Sequence, residues 1–143
     1  MWGQCNQKDK DTIIKLQKQA ARLVLDAERY AHSAPLFSQL NWQTFDQLIQ
    51  NRQALLVHKS LHNQAPSYMT EMFQLVSTVN TTHSLRSKTS NKLHIPRAHQ
   101  KSLRYRGPKI WNSLSDNARK AKSLRQFKSE YRKCTAICSN SES

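Results

Sequence analysis

The chain has 143 residues, 37% of them hydrophobic, which suits one small domain with a modest core, and 23 Lys and Arg against 9 Asp and Glu give a net charge of +14. Its two glycines are too few for the glycine-rich loops of P-loop and dinucleotide-binding enzymes, and no apolar run approaches the roughly 20 residues that cross a bilayer. We therefore expect a soluble intracellular protein, with the nucleus as one candidate compartment, and no membrane partner, cofactor or small-molecule substrate.

Residues 1–75 carry apolar side chains at helical spacing. The first predicted helix runs from about residue 11 to 29, where an N-terminal aspartate can cap free amides. A second long helix follows the capping-box pattern Thr44-Phe45-Asp46-Gln47 and ends near Asn63. Pro35 and Pro66 can each begin a shorter helix. The sequence therefore predicts a mainly α fold, with a small helical bundle in this half.

The helical pattern breaks near Val76, where residues that prefer turns or extended backbone begin. Alternating apolar and polar residues predict a short β-hairpin near 84–96. The pair Gly107-Pro108 predicts a turn into a brief helix, and a second capping-box pattern at Ser123 predicts a terminal amphipathic helix.

These patterns fit one domain, residues 1–143, made of two parts and a short tail. Residues 1–75 form the helical half, residues 76–138 form the basic half, and residues 139–143 are expected to be a frayed tail.

Nearly all of the excess positive charge lies in the basic half. Residues 1–83 carry eight basic and six acidic side chains, whereas residues 84–133 carry fifteen basic and two acidic ones. A segment with so much charge of one sign repels itself unless a polyanion neutralises it, and nucleic acid is the commonest intracellular polyanion. We therefore predict binding of RNA, DNA or both; the open alternative is a solvated or disordered basic segment.

The sequence gives little support for catalysis or for a metal site. No two of its aspartates are adjacent, although a two-metal polymerase or nuclease needs clustered carboxylates. Cys134 and Cys138 lie four residues apart on a predicted helix, and His94 and His99 lie in the extended segment. Cysteines at that spacing are more typical of a core than of a zinc knuckle. We expect no catalytic residue and no metal, so the chain alone is not an enzyme.

The basic half mixes aromatic with cationic residues, a combination that suits phosphate pairing and base stacking. Trp111 stands between Ile110 and Leu114, which favours a place in the core, whereas Tyr105 could either stack on a base or pack. The candidate nucleic-acid-binding residues are Arg86, Lys88, Lys92, Arg97, Lys101, Arg104, Tyr105, Arg106 and Lys109.

Two motifs carry a resemblance to a known family. Gly107-Pro108-Lys109-Ile110-Trp111-Asn112-Ser113-Leu114 and Ser123-Leu124-Arg125-Gln126-Phe127-Lys128 resemble the Gly-Pro-x-x-Trp-Asn-Ser-Leu and Ser-Leu-x-x-Phe-Lys patterns of jockey-like, LINE-type non-LTR retrotransposon reverse transcriptases. In that family the patterns lie in the C-terminal region, on the thumb side of the polymerase core. Leu16–Arg22 is similar to the family's Leu-Gln-x-x-Ala-Ala-Arg helix. Leu103 and Ser115 depart from the expected phenylalanine and proline.

The resemblance implies a region that grips template and primer within an RNA-directed DNA polymerase. The polymerase and endonuclease domains of the family would lie upstream and are absent from this chain. We therefore expect a nucleic-acid-binding remnant without enzymatic activity of its own. The alternative is a helical protein-interaction module or a non-functional retrotransposon-derived fragment. Cations gathered on one surface would favour binding, and cations spread evenly would favour the alternative.

Overall fold

The computed structural model describes residues 6–79 and 91–139, and the side chains of the last helix up to residue 133. Within these ranges the fold is mainly α, as predicted. Its helices are α1 (Gln7–Val24), α2 (Ser33–Gln39), α3 (Phe45–Leu61), α4 (Ser67–Thr70), α5 (Val76–Val79), α6 (Leu103–Ser113), α7 (Asp116–Arg119) and α8 (Leu124–Ser139). No helix in the described ranges combines the length and apolarity needed to span a membrane.

The chain divides into two compact units, Met1–Asn51 and Arg52–Ser143. In the first unit, α1 packs on α2, and a small core forms from Ala21, Leu36 and Phe37. The Asn6 side chain caps α1 by accepting a hydrogen bond from the Gln7 amide at 2.8 Å, so this helix begins four residues earlier than predicted.

The packed face of α1 differs from the apolar stripe that its sequence suggests. Leu16 and Leu23 belong to that stripe, yet they are 59% and 85% exposed. The face is set by Gln17, whose side chain donates to the Gln43 carbonyl at 2.7 Å and accepts from the Phe45 amide at 3.1 Å. Ala21 lies one turn further along the same face and is fully buried.

The start of α3 confirms the predicted capping box. The Gln47 amide donates to Thr44 Oγ1 at 3.3 Å, and the Thr44 amide donates to Gln47 Oε1 at 2.9 Å. The helix ends at Leu61, and Asn63 adopts a positive φ of 55°, as expected for an asparagine after a helix end.

The second unit has a larger core, formed by residues from α3, α4, α6, α7, α8 and their connections. Trp111 of α6 stacks on Phe127 of α8, with ring centroids 5.7 Å apart, and Tyr131 lies 6.0 Å from Phe127. All three rings are buried, which confirms the place in the core expected for Trp111. The Ser123 hydroxyl caps α8 by accepting from the Gln126 amide at 3.2 Å.

Gly107 and Pro108 lie inside α6 rather than in a turn before it, so that prediction was wrong. A residue before proline usually avoids helical backbone because its Cβ meets the proline ring, but glycine has no Cβ. A Cβ on Gly107 would also lie 2.7 Å from Phe73 Cε1 and 3.1 Å from Val57 Cγ2. The pair therefore lets α6 continue while α3 and the Phe73 ring approach closely.

The β-hairpin predicted near 84–96 is not seen. Residues 84–90 lie outside the described residues, and residues 91–96 form no strand. Leu93 forms an isolated antiparallel bridge with Leu75, in which the Val76 amide donates to the Lys92 carbonyl and the His94 amide to the Gln74 carbonyl.

The other edge of this segment is bonded to α6, which explains why Leu93 needs no second strand. The Leu93 amide donates to Asn112 Oδ1 and its carbonyl accepts from Asn112 Nδ2, both at 2.8 Å. Trp111 Nε1 donates to the Asn91 carbonyl at 2.8 Å. The asparagine therefore takes the place of a neighbouring strand.

Replacing Asn112 with alanine should destabilise the second unit by about 2 kcal/mol, because both backbone groups of the buried Leu93 lose their partner. Urea unfolding measures this loss. Ser113→Ala is the control, since Ser113 is exposed and bonds only within its own helix, to the Ile110 carbonyl. Equal stability of the two variants would contradict the strand-like role of Asn112.

His58 is a fully buried polar residue that the sequence did not single out. Its Nε2 lies 3.1 Å from the Ala121 carbonyl, so Nε2 carries the proton and donates it. Its Nδ1 is buried without a hydrogen-bond partner, and its ring stacks on His62 with centroids 4.1 Å apart. Desolvation lowers the pKa of His58 from the usual 6.5; the bond to Ala121 opposes this effect, and His62 adds to it.

The second unit should therefore lose stability as the pH falls below about 6.5, because the unfolded chain takes up a proton that folded His58 resists. The His58 contribution is fully present above that pH and is lost as the pH falls below it, with a slope of at most about 1.4 kcal/mol per pH unit, the limit for one proton. Urea unfolding between about pH 7.5 and 5.5 measures it. His58→Gln should flatten the dependence, whereas substitution of the exposed His94 should not; equal slopes for both variants would contradict this account.

Candidate nucleic-acid interface

The excess positive charge is concentrated in the second compact unit. In residues 52–79 and 91–133 there are fifteen Lys and Arg against three Asp and Glu, whereas residues 6–51 hold six against five. Two of the three acidic side chains are already paired with cations: Asp116 with Arg119, and Glu130 with Lys133. The acidic groups of this unit therefore neutralise little of the remaining positive charge.

Arg119 is a basic residue with a structural role. Its guanidinium is buried and donates through Nη1 to the carbonyls of Asn112 and Leu114, and through Nη2 to Asp116. It thus joins the end of α6 to α7.

The candidate residues differ in exposure. Arg86 and Lys88 lie outside the described residues. Lys92, Tyr105 and Arg106 are half-buried, and the exposed candidates are Arg97, Lys101, Arg104 and Lys109.

The register of α6 brings some of its cations together and separates others. A helix turns by about 100° per residue, so Arg106 and Lys109 lie about 60° apart, whereas Arg104 lies about 160° from Arg106. We call the face that carries Arg106 and Lys109 the α6 surface. Arg104 lies on nearly the opposite side of the helix, so the structure does not gather the cations of α6 on one surface, and the arrangement that would favour binding is met only by Arg106 and Lys109.

A second cationic row on α8 was missed in the sequence. Arg125, Lys128 and Arg132 are exposed and lie at positions i, i+3 and i+7, which places them on one stripe. Their rise along the helix is about 4.5 Å and then about 6 Å. We call this stripe the α8 surface. The row is visible in the sequence beside the apolar spacing of Phe127 and Tyr131, but it lacks the interleaved aromatic and cationic residues that mark the segment before it.

The aromatic side chains are mostly unavailable to bases on these helices. Trp111, Phe127 and Tyr131 are buried, and Tyr105 is half-buried. Tyr68 of α4 is exposed in the same unit. The cationic surfaces therefore present charge to a backbone more than flat rings to bases.

The described side chains include no group of three His, Cys, Asp or Glu that could hold a metal ion. His94 and His99 are exposed, and His99 Nδ1 accepts from the Lys101 amide at 3.2 Å. The side chains of Cys134 and Cys138 lie outside the described part, so the core role expected for them stays a prediction.

Comparisons of the chain with protein-family models, with curated proteins and with solved structures found no match.

Proposed function

We propose that the second unit binds the phosphate backbone of RNA or DNA, with little sequence selectivity. The observation that carries this proposal is the fifteen-to-three excess of cations over acidic groups, two of which are already paired. Phosphates release condensed counterions when such cations neutralise them, which gives affinity without base reading. The α6 and α8 surfaces supply exposed cations on helices that buried rings hold in place.

The resemblance to retrotransposon reverse transcriptases supports a more specific form of the proposal. The chain would be a nucleic-acid-binding remnant of the region behind the polymerase core, without polymerase or endonuclease activity of its own. Three residues of the motif Gly107–Leu114, which carries the resemblance, have structural roles. Gly107 and Trp111 pack in the core of the second unit, and Asn112 bonds to the backbone of Leu93. These residues of the motif therefore stabilise the second unit, and the proposed contact with nucleic acid rests on the cations around them.

A protein-interaction module is the second candidate, and one observation favours it. Leu16, Leu23, Val24 and Tyr30 of the first unit are large apolar side chains exposed at 59% or more. Singly exposed apolar residues are ordinary, but Leu16 and Leu23 lie two turns apart on the same helix face. A partner helix could cover them.

Electrophoretic shift titrations of the full chain with structured RNA, single strands and duplex DNA test the proposal. Several unrelated sequences of each type should bind with similar affinity at low salt, since phosphates carry no sequence information. A matched titration of a variant with Leu16 and Leu23 changed to serine separates the two candidates: unchanged binding is expected. Absence of a shift with all three ligand types at low salt would refute the proposal and favour the interaction module.

A further inference from the structure

The carboxyl end of α1 borders a cavity of about 360 Å³ that belongs to neither the α6 nor the α8 surface. Its lining includes Gln19, Arg22, Asp26, Arg29 and Tyr30, all of which lie in the first compact unit. The volume falls near the lower end of the range of about 300–1,000 Å³ that is usual for ligand sites. The space therefore suits a small ligand or one unit of a chain, and we call it the α1 cavity.

The turn after α1 brings the lining residues together. Asp26 has a positive φ of 48°, and the Ala27 amide donates to the Arg22 carbonyl at 2.9 Å, which closes the end of the helix. The chain then returns to the side of α1, where Arg22 Nε donates to the Ala31 carbonyl at 3.0 Å. Among the described residues this bond occupies only Nε of the Arg22 guanidinium, so its two Nη groups can donate to a ligand.

Tyr30 presents an aromatic ring to solvent at this cavity. The residue is 86% exposed, and the guanidinium carbon of Arg29 lies over one face of the ring, 6.0 Å from the centroid. The high exposure leaves the opposite face open. An open ring face beside cations is the arrangement on which bases of single-stranded nucleic acid stack.

The charged groups of the α1 cavity indicate how a ligand would be oriented in it. Neither Arg22 nor Arg29 forms an ion pair within the described part of the chain, and a guanidinium pairs well with phosphate oxygens. The Asp26 carboxylate repels a phosphate but accepts hydrogen bonds from the amino groups of bases. A nucleotide has a phosphate for the two guanidinium groups and a base for Tyr30 and Asp26.

We propose that the α1 cavity binds one nucleotide of an RNA or DNA single strand, with the base stacked on Tyr30 and the phosphate paired with Arg22 and Arg29. This inference rests on the proposed binding of nucleic acid and goes beyond it, because it gives the first unit a role in that binding. Bases of a duplex are already stacked and paired, so they do not lie on the Tyr30 ring. The cavity therefore gives the chain a preference for single strands that backbone contact alone does not provide.

The affinity for short strands tests this site once the second unit is kept from masking it. The background for the test is the full chain with four cations of the α6 and α8 surfaces changed to glutamine, namely Arg106, Lys109, Arg125 and Lys128. Fluorescence anisotropy at low salt measures binding of a short, labelled, adenine-rich single strand and of the corresponding duplex. Adding Tyr30→Ala should weaken single-strand binding about tenfold, because one base loses its stacking partner, and should leave duplex binding within about twofold.

Two further variants show whether the ring itself is responsible. Tyr30→Phe keeps the ring and should bind the single strand as tightly as the background chain. Tyr68→Ala removes a tyrosine that is 64% exposed in the second unit and lies outside the α1 cavity, so it should change neither affinity. Both tyrosines are exposed, so their replacement leaves the two cores intact.

The nucleotide site is refuted if the background chain does not bind the single strand, or if Tyr30→Ala binds it as tightly as the background chain does. It is equally refuted if Tyr30→Ala weakens duplex binding as much, or if Tyr68→Ala has the same effect. Duplex binding by the wild-type chain decides the proposed function separately. Its presence without a Tyr30 effect leaves backbone contact standing, whereas its absence with a clear Tyr30 effect leaves the nucleotide site standing.

Discussion

Replacing Trp111 with alanine should lower the free energy of unfolding of the second unit by about 3–5 kcal/mol, the largest stability effect expected for a single change in this chain. The indole is buried between α3, α6 and α8, and it stacks on Phe127 at 5.7 Å. Its Nε1 also donates to the Asn91 carbonyl, which would lose that partner. Urea unfolding followed by circular dichroism measures the loss.

Trp42→Ala is the matched control for that experiment. Trp42 lies in the first unit and is 38% exposed, and its ring centroid lies 6.3 Å from that of Phe37. Its removal should cost about 1 kcal/mol or less. A Trp111→Ala protein as stable as the wild type, or a larger loss for Trp42→Ala, would show that the stacked rings of α6 and α8 do not hold the second unit together.

Removing four cations from the α6 and α8 surfaces should weaken binding of a long single strand by about two orders of magnitude or more at 0.1 M salt. The reason is that each phosphate contact on a single strand contributes about −0.7 to the slope of log affinity against log salt. The variant changes Arg106, Lys109, Arg125 and Lys128 to glutamine. Their exposed or half-buried positions keep them out of the core, so the fold should persist. Fluorescence anisotropy with a labelled oligonucleotide measures the affinity.

A control variant removes the same number of cations from the first unit, at Lys8, Lys15, Lys18 and Arg29. Because residues 6–51 carry six Lys and Arg against five Asp and Glu, their net charge is small, and the loss of these cations should weaken binding only a few-fold. If both variants weaken binding equally, affinity follows total charge and no surface of the second unit is special.

Local sequence patterns predicted the helices well because their signals are complete within a few residues. The capping box at Thr44 and Gln47 forms its two bonds as expected. Trp111 was expected in the core because of its apolar neighbours, and it is buried. Such patterns need no knowledge of what packs against the helix.

The structure differs from the sequence-based predictions where a residue distant in the sequence determines the local conformation or burial. Gly107 lies in a helix whose packing against Phe73 leaves no room for a Cβ, and Asn112 takes the place of a strand partner for Leu93. The exposed position of Leu16 follows from the bonds of Gln17 to Gln43 and Phe45, which periodicity does not reveal.

The candidate site could be predicted only as a region of the sequence. Composition located the excess charge in residues 84–133. Composition could not show that Arg104 and Arg106 lie on different sides of α6. Their separation requires both residues to be helical, and the sequence predicted that the helix begins only after Gly107-Pro108. The α8 surface likewise depends on which face of α8 the core covers.

The salt dependence of binding tests the central claim, contact with the phosphate backbone by the second unit, most directly. Fluorescence anisotropy titrations of the full chain between about 50 and 200 mM salt give the slope of log affinity against log salt. With roughly five phosphates neutralised, the slope should be about −3.5 on single strands and about −4.5 on duplex, so affinity for single strands falls about 100-fold across the series. A slope near zero would contradict backbone contact and leave the basic residues as a solvated face.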